Sequence, residues 1–244
     1  MENEQLLKLW KDVFGEYDGF WELFLRTGFS PERCRCILEN GQAAASLCWF
    51  DTQCLGQKLA YLYAVVTHPE YRNRGLCRRL MADTHRQLRE LGYAGALLVP
   101  AESSLRAMYE KMGYRNCTTV TEFTCEAGAD PVPLRAVGPA EYARLRREFL
   151  PWGGVVQEGE NLRFLAEQAQ FYTGEDLLLA VYREEDVLHG MELLGNAEAA
   201  PGILRTLGCA KGHFRTPGEE IPFAMFLPLR KDAVRPAYFG FAFD

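Results

Sequence analysis

The chain has 244 residues, 48% of them hydrophobic, and a formal net charge of −6. That length suits two domains with substantial cores, and the negative balance disfavours a protein that coats nucleic acid. No apolar run approaches the ~18 residues that a membrane span needs, and the opening Met1-Glu-Asn-Glu-Gln5 lacks the basic and apolar stretches of a signal peptide. A cytoplasmic protein with no nucleic-acid and no membrane partner is expected. The eight cysteines contain no Cys-x-x-Cys and read as free thiols, several packing as small hydrophobes. His68, His85, His189 and His213 show no metal-ligand spacing, so no metal is expected.

In chain order, Gln5 to Phe14 places Leu6, Leu9, Trp10 and Val13 on one face of a helix. Glu16 to Arg26 predicts a second helix. Arg33–Leu38 and Ala43–Asp51 predict an antiparallel pair turning at Asn40-Gly41, a strong hairpin signal. A turn at Leu55-Gly56 leads into an apolar strand over Leu59–Thr67. A helix runs from Leu76, then a buried strand over Gly95–Pro100. Ser103 or Ser104 can cap a short helix that Gly113 ends. Cys117–Phe123 is expected to finish the first unit, and Glu126–Pro133 has linker composition. Beyond it, Pro139–Leu150 and Leu162–Phe171 read as helices. Leu177–Tyr182 and Val187–Leu194 read as strands, Ala199–Leu207 as a helix, and His213–Thr216, Phe223–Leu227 and Tyr238–Phe243 as strands. The expected division is 1–130 and 131–244.

The most informative stretch is Tyr71-Arg-Asn-Arg-Gly-Leu-Cys-Arg-Arg-Leu80. A strand, a glycine turn and a helix start leave several backbone N–H groups unpaired and pointing one way, with the positive end of the helix dipole behind them. Such a turn holds phosphate or pyrophosphate. Arg72, Arg74, Arg78 and Arg79 crowd it, which suits a ligand with several negative charges. There is no Gly-x-x-x-x-Gly-Lys-Ser/Thr and no Gly-x-Gly-x-x-Gly, so neither a nucleotide P-loop nor a dinucleotide fold is expected.

What fits is Arg-x-x-Gly-x-(Gly/Ala), carried by Arg72 and Gly75 with Cys77 in the last slot. Downstream, Met108-Tyr109-Glu110-Lys111-Met112-Gly113-Tyr114 resembles Leu-Tyr-Glu-Lys-x-Gly-Phe. Both motifs, in this order and in this strand–turn–helix context, resemble the GNAT acyltransferase superfamily over about residues 1–125. The nearest resemblance is to the branch that includes the enhanced-intracellular-survival (Eis-like) acetyltransferases. The resemblance implies an α/β (α+β) fold with a mixed central sheet flanked by helices. The smaller C-terminal α+β domain is either a degenerate second GNAT-like half or an unrelated cap.

The resemblance also implies acetyl-CoA as co-substrate and transfer of its acetyl group to a primary amine, by direct attack in a ternary complex. Backbone N–H groups of Asn73, Arg74, Gly75, Leu76, Cys77 and Arg78, with the Arg72 side chain, would grip the pyrophosphate. Val65, Val66 and Thr67 would pair with the pantetheine arm, and the strand edge would polarise the thioester carbonyl. Tyr109 would act at the departing sulfur as general acid. The general base is not identified by the sequence; Glu102, acting through a water, is one candidate, and the C-terminal Asp244 is another because in Eis-like enzymes the chain end reaches the active site. Cys77 stands at a helix N-terminus among arginines, which would lower its pKa, but beside the pyrophosphate it would be too far from the acetyl group to act as nucleophile. Trp21, Phe24, Trp49, Phe50, Tyr61 and Tyr63 could enclose a small amine acceptor. Two alternatives stand beside this reading: an acyl-CoA-binding sensor without efficient catalysis, and an acetyltransferase acting on protein lysines or N-termini.

Overall fold

The structure, a computed structural model, describes residues 3–15 and 19–242. Its helices are α1 (Asn3–Phe14), α2 (Phe20–Thr27), α3 (Leu76–Glu90), α4 (Arg106–Glu110), α5 (Pro139–Phe149), α6 (Glu160–Ala166) and α7 (Ala200–Leu207). Its strands are β1 (Cys34–Glu39), β2 (Gln42–Cys54), β3 (Gln57–Thr67), β4 (Gly95–Leu98), β5 (Arg115–Asn116), β6 (Thr119–Glu126) and β7 (Arg135–Val137). The second half adds β8 (Val156–Gln157), β9 (Gln170–Thr173), β10 (Leu177–Glu184), β11 (Val187–Gly195), β12 (Lys211–Pro217), β13 (Ile221–Pro222) and β14 (Met225–Pro228).

Among the described residues the strands form two seven-stranded mixed sheets. One runs β1-β2-β3-β4-β14-β5, with β8 also paired to β2. The other runs β13-β6-β12-β11-β10-β9-β7. Both share one plan. Two helices (α1 and α2, or α5 and α6) precede a three-stranded meander (β1 to β3, or β9 to β11). A crossover helix (α3 or α7) then leads to a parallel partner strand (β4 or β12). That repetition decides for a second half of the same design over an unrelated cap. The first meander turns where expected. Asn40 and Gly41 both have positive φ (53° and 79°), as do Leu55 and Gly56 (47° and 78°), the left-handed pairs that two-residue hairpin turns require.

Among the described residues, three apolar clusters hold the layers together. One joins the two halves, bringing Trp10 and Phe24 of α1 and α2 against Phe50, Tyr63, Phe164 of α6 and Phe239. A second lies between the first sheet and α3 and α4, and a third between the second sheet and α7.

Several expectations need correction. The strand expected to finish the first unit is β6, but it pairs with β12 and β13 of the second sheet. In exchange β14 closes the first sheet between β4 and β5. The alternating burial of β6 fits either sheet equally, so its pattern cannot name the partner. The helix expected to run to Phe171 stops at Ala166, because Gln170–Thr173 forms β9 against β10, with Phe171 stacked on Tyr142 at 4.2 Å. The strand expected over Tyr238–Phe243 is an irregular strap as far as residue 242. Its backbone is satisfied by Val155 N–H to Tyr238 C=O (2.9 Å) and by both ends of the Gln157 carboxamide on Phe241. Phe243 and the predicted helix start at Glu16 lie outside the described residues.

Candidate active site

β3 and β4 pair in parallel only from Leu59–Gly95 to Tyr61–Leu97. Beyond Tyr61 they part, while β14 takes the other edge of β4. On its opposite side β3 carries a bulge: the register against β2 shifts between Cys48–Tyr63 and Ser46–Val66, and Ala64 sits at φ 51°. A bulge bends its strand and re-aims the residues beyond it. From Leu62 to Thr67, a stretch that includes Val65, Val66 and Thr67, β3 has no ladder partner on its β4 side among the described residues.

β3 feeds directly into the arginine turn. Asn73 (φ 62°) and Gly75 (φ 75°) are both left-handed. A Cβ added at Gly75 would meet nothing within 4 Å, so its outer side faces open space. No side chain caps α3, and its first backbone bond is Arg79 N–H to Gly75 C=O. The amides of Leu76, Cys77 and Arg78 therefore have no partner inside the helix. No acidic residue occupies that first turn. Arg72 donates from Nε to the Thr67 carbonyl (3.2 Å), and Arg74 donates to the Glu70 carbonyl (3.0 Å) and lies over the Tyr71 ring. Two arginines thus brace the turn, and Arg78 stands exposed on the helix. Exposed positive charge, oriented amides and room for a ligand fit a pyrophosphate.

The matching turn of the second half is chemically different. Between β11 and α7, Asn196 caps the chain by accepting from the Glu198 amide (3.1 Å) and donates to the Asp176 carboxylate (2.9 Å). Carboxylates stand where the first half has arginines, so this turn repels phosphate.

Tyr109 of α4 is 5% exposed and packs in the same cluster as Leu76, Leu80 and Cys77. Burial first, then the nearby Cys77, pushes its phenol above the ordinary range. Cys77, expected beside the phosphates with a lowered pKa, instead packs half-buried against this cluster. Burial raises its thiol above the ordinary range. A protonated thiol is a poor nucleophile. Tyr114 is fully buried. Its ring meets Tyr109 edge-on at 5.9 Å, and its hydroxyl lies 2.8 Å from His85 Nε2 on α3. Burial lowers His85 to about 4, so the imidazole is neutral at physiological pH. Nothing in the sequence signals this pair beyond the position of His85 on the apolar face of α3.

Glu102 is exposed ahead of α4 and accepts from Ser104 Oγ (3.0 Å), in a turn where neither serine caps as expected. Asp244 lies outside the described residues. The strap before it is buried, with Phe239 4.8 Å from the Tyr61 ring. The aromatic set is tighter than expected. Trp21, Phe24, Phe50, Tyr61 and Tyr63 belong to the cluster between the two halves, exposed by only 1–8%. Trp49 points to the other face of the sheet and donates to Tyr93 (3.0 Å). His189 and His213, distant in sequence, face each other across β11 and β12 with rings 5.4 Å apart. Among the described residues no cluster of three or more His, Cys, Asp or Glu is arranged for a metal ion, and no helix is long and apolar enough to cross a membrane.

Residues 1–117 match the family model of the acetyltransferase (GNAT) domain. Over those residues the chain is similar to the GNAT acetyltransferase domain. Solved structures extend the likeness in fold through both halves. A GCN5-related N-acetyltransferase from Kribbella flavida superposes with a TM-score of 0.70 at 20% identity, over 94% of this chain and 71% of that one. Eis1 from Mycobacterium abscessus gives 0.67 at 12% identity, over 93% and 70%. A tandem GNAT protein from the clavulanic acid biosynthesis pathway gives 0.57 at 13% identity, over 94% and 95%. No curated protein matches the sequence.

Proposed function

We propose that this protein transfers the acetyl group of acetyl-CoA to a primary amine of a small molecule, by direct attack while both substrates are bound. The observation that carries this reading is one of place. The left-handed Asn73–Gly75 turn and the open amides of α3 stand at the mouth of the gap between β3 and β4, and Tyr109 lies in the apolar cluster against α3. In this reading the amides of Asn73 to Arg78 and the Arg72 guanidinium hold the pyrophosphate. Val65, Val66 and Thr67 offer backbone groups to the pantetheine arm and to the thioester carbonyl, where charge grows in the transition state. Tyr109 supplies its hydroxyl to the leaving sulfur.

Residues 1–130 would bind acetyl-CoA and carry catalysis, while 131–244 would close the acceptor side through α6 and the strap. All eight cysteines are free, which supports a reducing, cytoplasmic setting. One observation favours the sensor alternative: the aromatic wall next to β3 is closed by ring packing, which leaves an acceptor little space there.

The test is a thermal melt with and without acetyl-CoA. At about 100 times its dissociation constant, a ligand adds ~2.7 kcal/mol, worth several degrees in domains of this size. Gly75→Glu puts a side chain at a left-handed position and a negative charge at the phosphate turn, so its shift should vanish. A folded parent with no shift would remove the acetyl-CoA assignment.

A further inference from the structure

α4 has five residues, one turn and a little more, too short to hold its shape without tertiary support. Two anchors supply that support. At its start, Arg106 donates to Asn116 Oδ1 (2.5 Å) and to the Phe223 carbonyl (3.0 Å). At its end, the Met112 and Tyr114 amides donate back to the Tyr109 carbonyl (2.9 and 3.2 Å), and Gly113 turns the chain at φ 97°. The Tyr114 ring is thereby laid against Tyr109, and one polar contact reaches across to fix it: the Tyr114 hydroxyl and His85 Nε2, 2.8 Å apart in the apolar layer between α3 and α4. A buried polar pair of this kind has one good arrangement and costly alternatives.

We propose that His85 is a positioning residue for acetyl transfer, which fixes the Tyr114 ring by its hydrogen bond and through that ring sets the direction of the Tyr109 hydroxyl. This rests on the assignment of Tyr109 to the leaving sulfur. The path is short and contiguous: α3 imidazole, phenol, edge-to-face ring contact, then the reacting hydroxyl. α3 also begins at the phosphate turn, so the helix that binds the anionic end of the substrate is the one that aims the acid. His85 touches no reacting atom in this scheme. Its loss would be felt as misalignment, which typically lowers turnover more than substrate binding.

The experiment measures thiol release from acetyl-CoA, with spermidine and with water alone as acceptors. It uses His85→Leu, His85→Gln and Tyr114→Phe, each alone and combined with Tyr109→Phe. Turnover by His85→Leu and Tyr114→Phe should fall roughly 10- to 100-fold with KM for acetyl-CoA unchanged. His85→Gln, which can still meet the Tyr114 hydroxyl, should recover most of the rate. In the Tyr109→Phe background neither change should cost anything more, because no hydroxyl is left to aim. Parent turnover in a folded His85→Leu, or the same fold-loss in both backgrounds, would overturn the inference while leaving Tyr109 in place. Parent turnover in Tyr109→Phe removes the Tyr109 assignment and the inference together. If His85→Leu does not fold, Tyr114→Phe carries the comparison. If spermidine gives no turnover, the water reaction carries it.

Discussion

Tyr109→Phe is expected to slow acetyl transfer by ~10²–10⁴-fold while the melting shift given by acetyl-CoA stays as in the parent. The ring remains, so its packing with Leu76, Leu80 and Tyr114 remains. Losing one hydroxyl should change stability by no more than about 1 kcal/mol. Burial raises the phenol above its ordinary value, which is ~10 against ~8.5 for a free thiol. A donor less acidic than the leaving thiol stabilises the thiolate by giving it a hydrogen bond and keeps its own proton, so the thiolate takes its proton from solvent. This sets the sign of the pH dependence. Tyr109 works in its neutral form, and a raised pKa keeps it neutral past pH ~10. Turnover should therefore show no alkaline decline belonging to Tyr109 in the range where a free phenol would begin to ionise. Steady-state turnover of the variant and a pH profile of the parent check both halves of the argument. Parent-like turnover in Tyr109→Phe would sink the assignment.

The residues that made the first half legible are those whose signal is local. Asn40-Gly41 and Leu55-Gly56 carry the glycine that a tight hairpin turn uses, and both pairs are left-handed in the structure, while Arg72 to Gly75 reads as a turn because a strand pattern ends before it and a helix pattern starts after it. Long-range pairing was not legible. β6 reads as a half-buried strand in either sheet, and only the structure shows that it left the first sheet to β14. The same holds for side-chain partners. The apolar spacing of α3 says that His85 faces inward, but not that Tyr114 waits there with a hydroxyl. Cys77 shows the limit of charge counting. Four nearby arginines argue for a low thiol pKa, yet the thiol packs half-buried, and desolvation decides. The strap at 238–242 misled for a different reason. Its alternating aromatics have strand periodicity, but Gly240 lies where any Cβ would collide with the Glu192 carboxylate, so close packing on a buried charge sets its path.

That charge carries the largest expected effect on stability. Glu192 of β11 is wholly buried and every route to it is polar and matched. Arg146 of α5 donates to it twice, Nε to Oε2 at 2.7 Å and the terminal nitrogen to Oε1 at 2.9 Å. Tyr142 and the strap's Tyr238 each donate a hydroxyl, at 3.1 and 2.9 Å. The remaining guanidinium nitrogen reaches the Val155 carbonyl (2.9 Å), and the Phe241 ring lies under the cation. Burial opposes the charge on Arg146, but Glu192 and the two tyrosines more than restore it. One network thus ties α5, β11, the loop before β8 and the strap. Glu192→Gln keeps the shape and leaves the guanidinium buried without its counter-charge, which costs about 3–5 kcal/mol out of a typical total of about 5–15 kcal/mol. Urea unfolding should show the loss as a lower midpoint at an unchanged slope. Replacing the whole cluster, Arg146→Met and Glu192→Leu together with Tyr142→Phe and Tyr238→Phe, should recover most of it, since packed apolar groups carry no desolvation penalty and no hydroxyl is left without an acceptor. Gly240→Ala gives an independent check. It leaves both charges in place but forces the strap off the carboxylate, and should destabilise as much as losing the charge. A Glu192→Gln cost under about 1 kcal/mol, the range of an exposed pair, would mean that water reaches the site and that the strap is held by its aromatic packing alone.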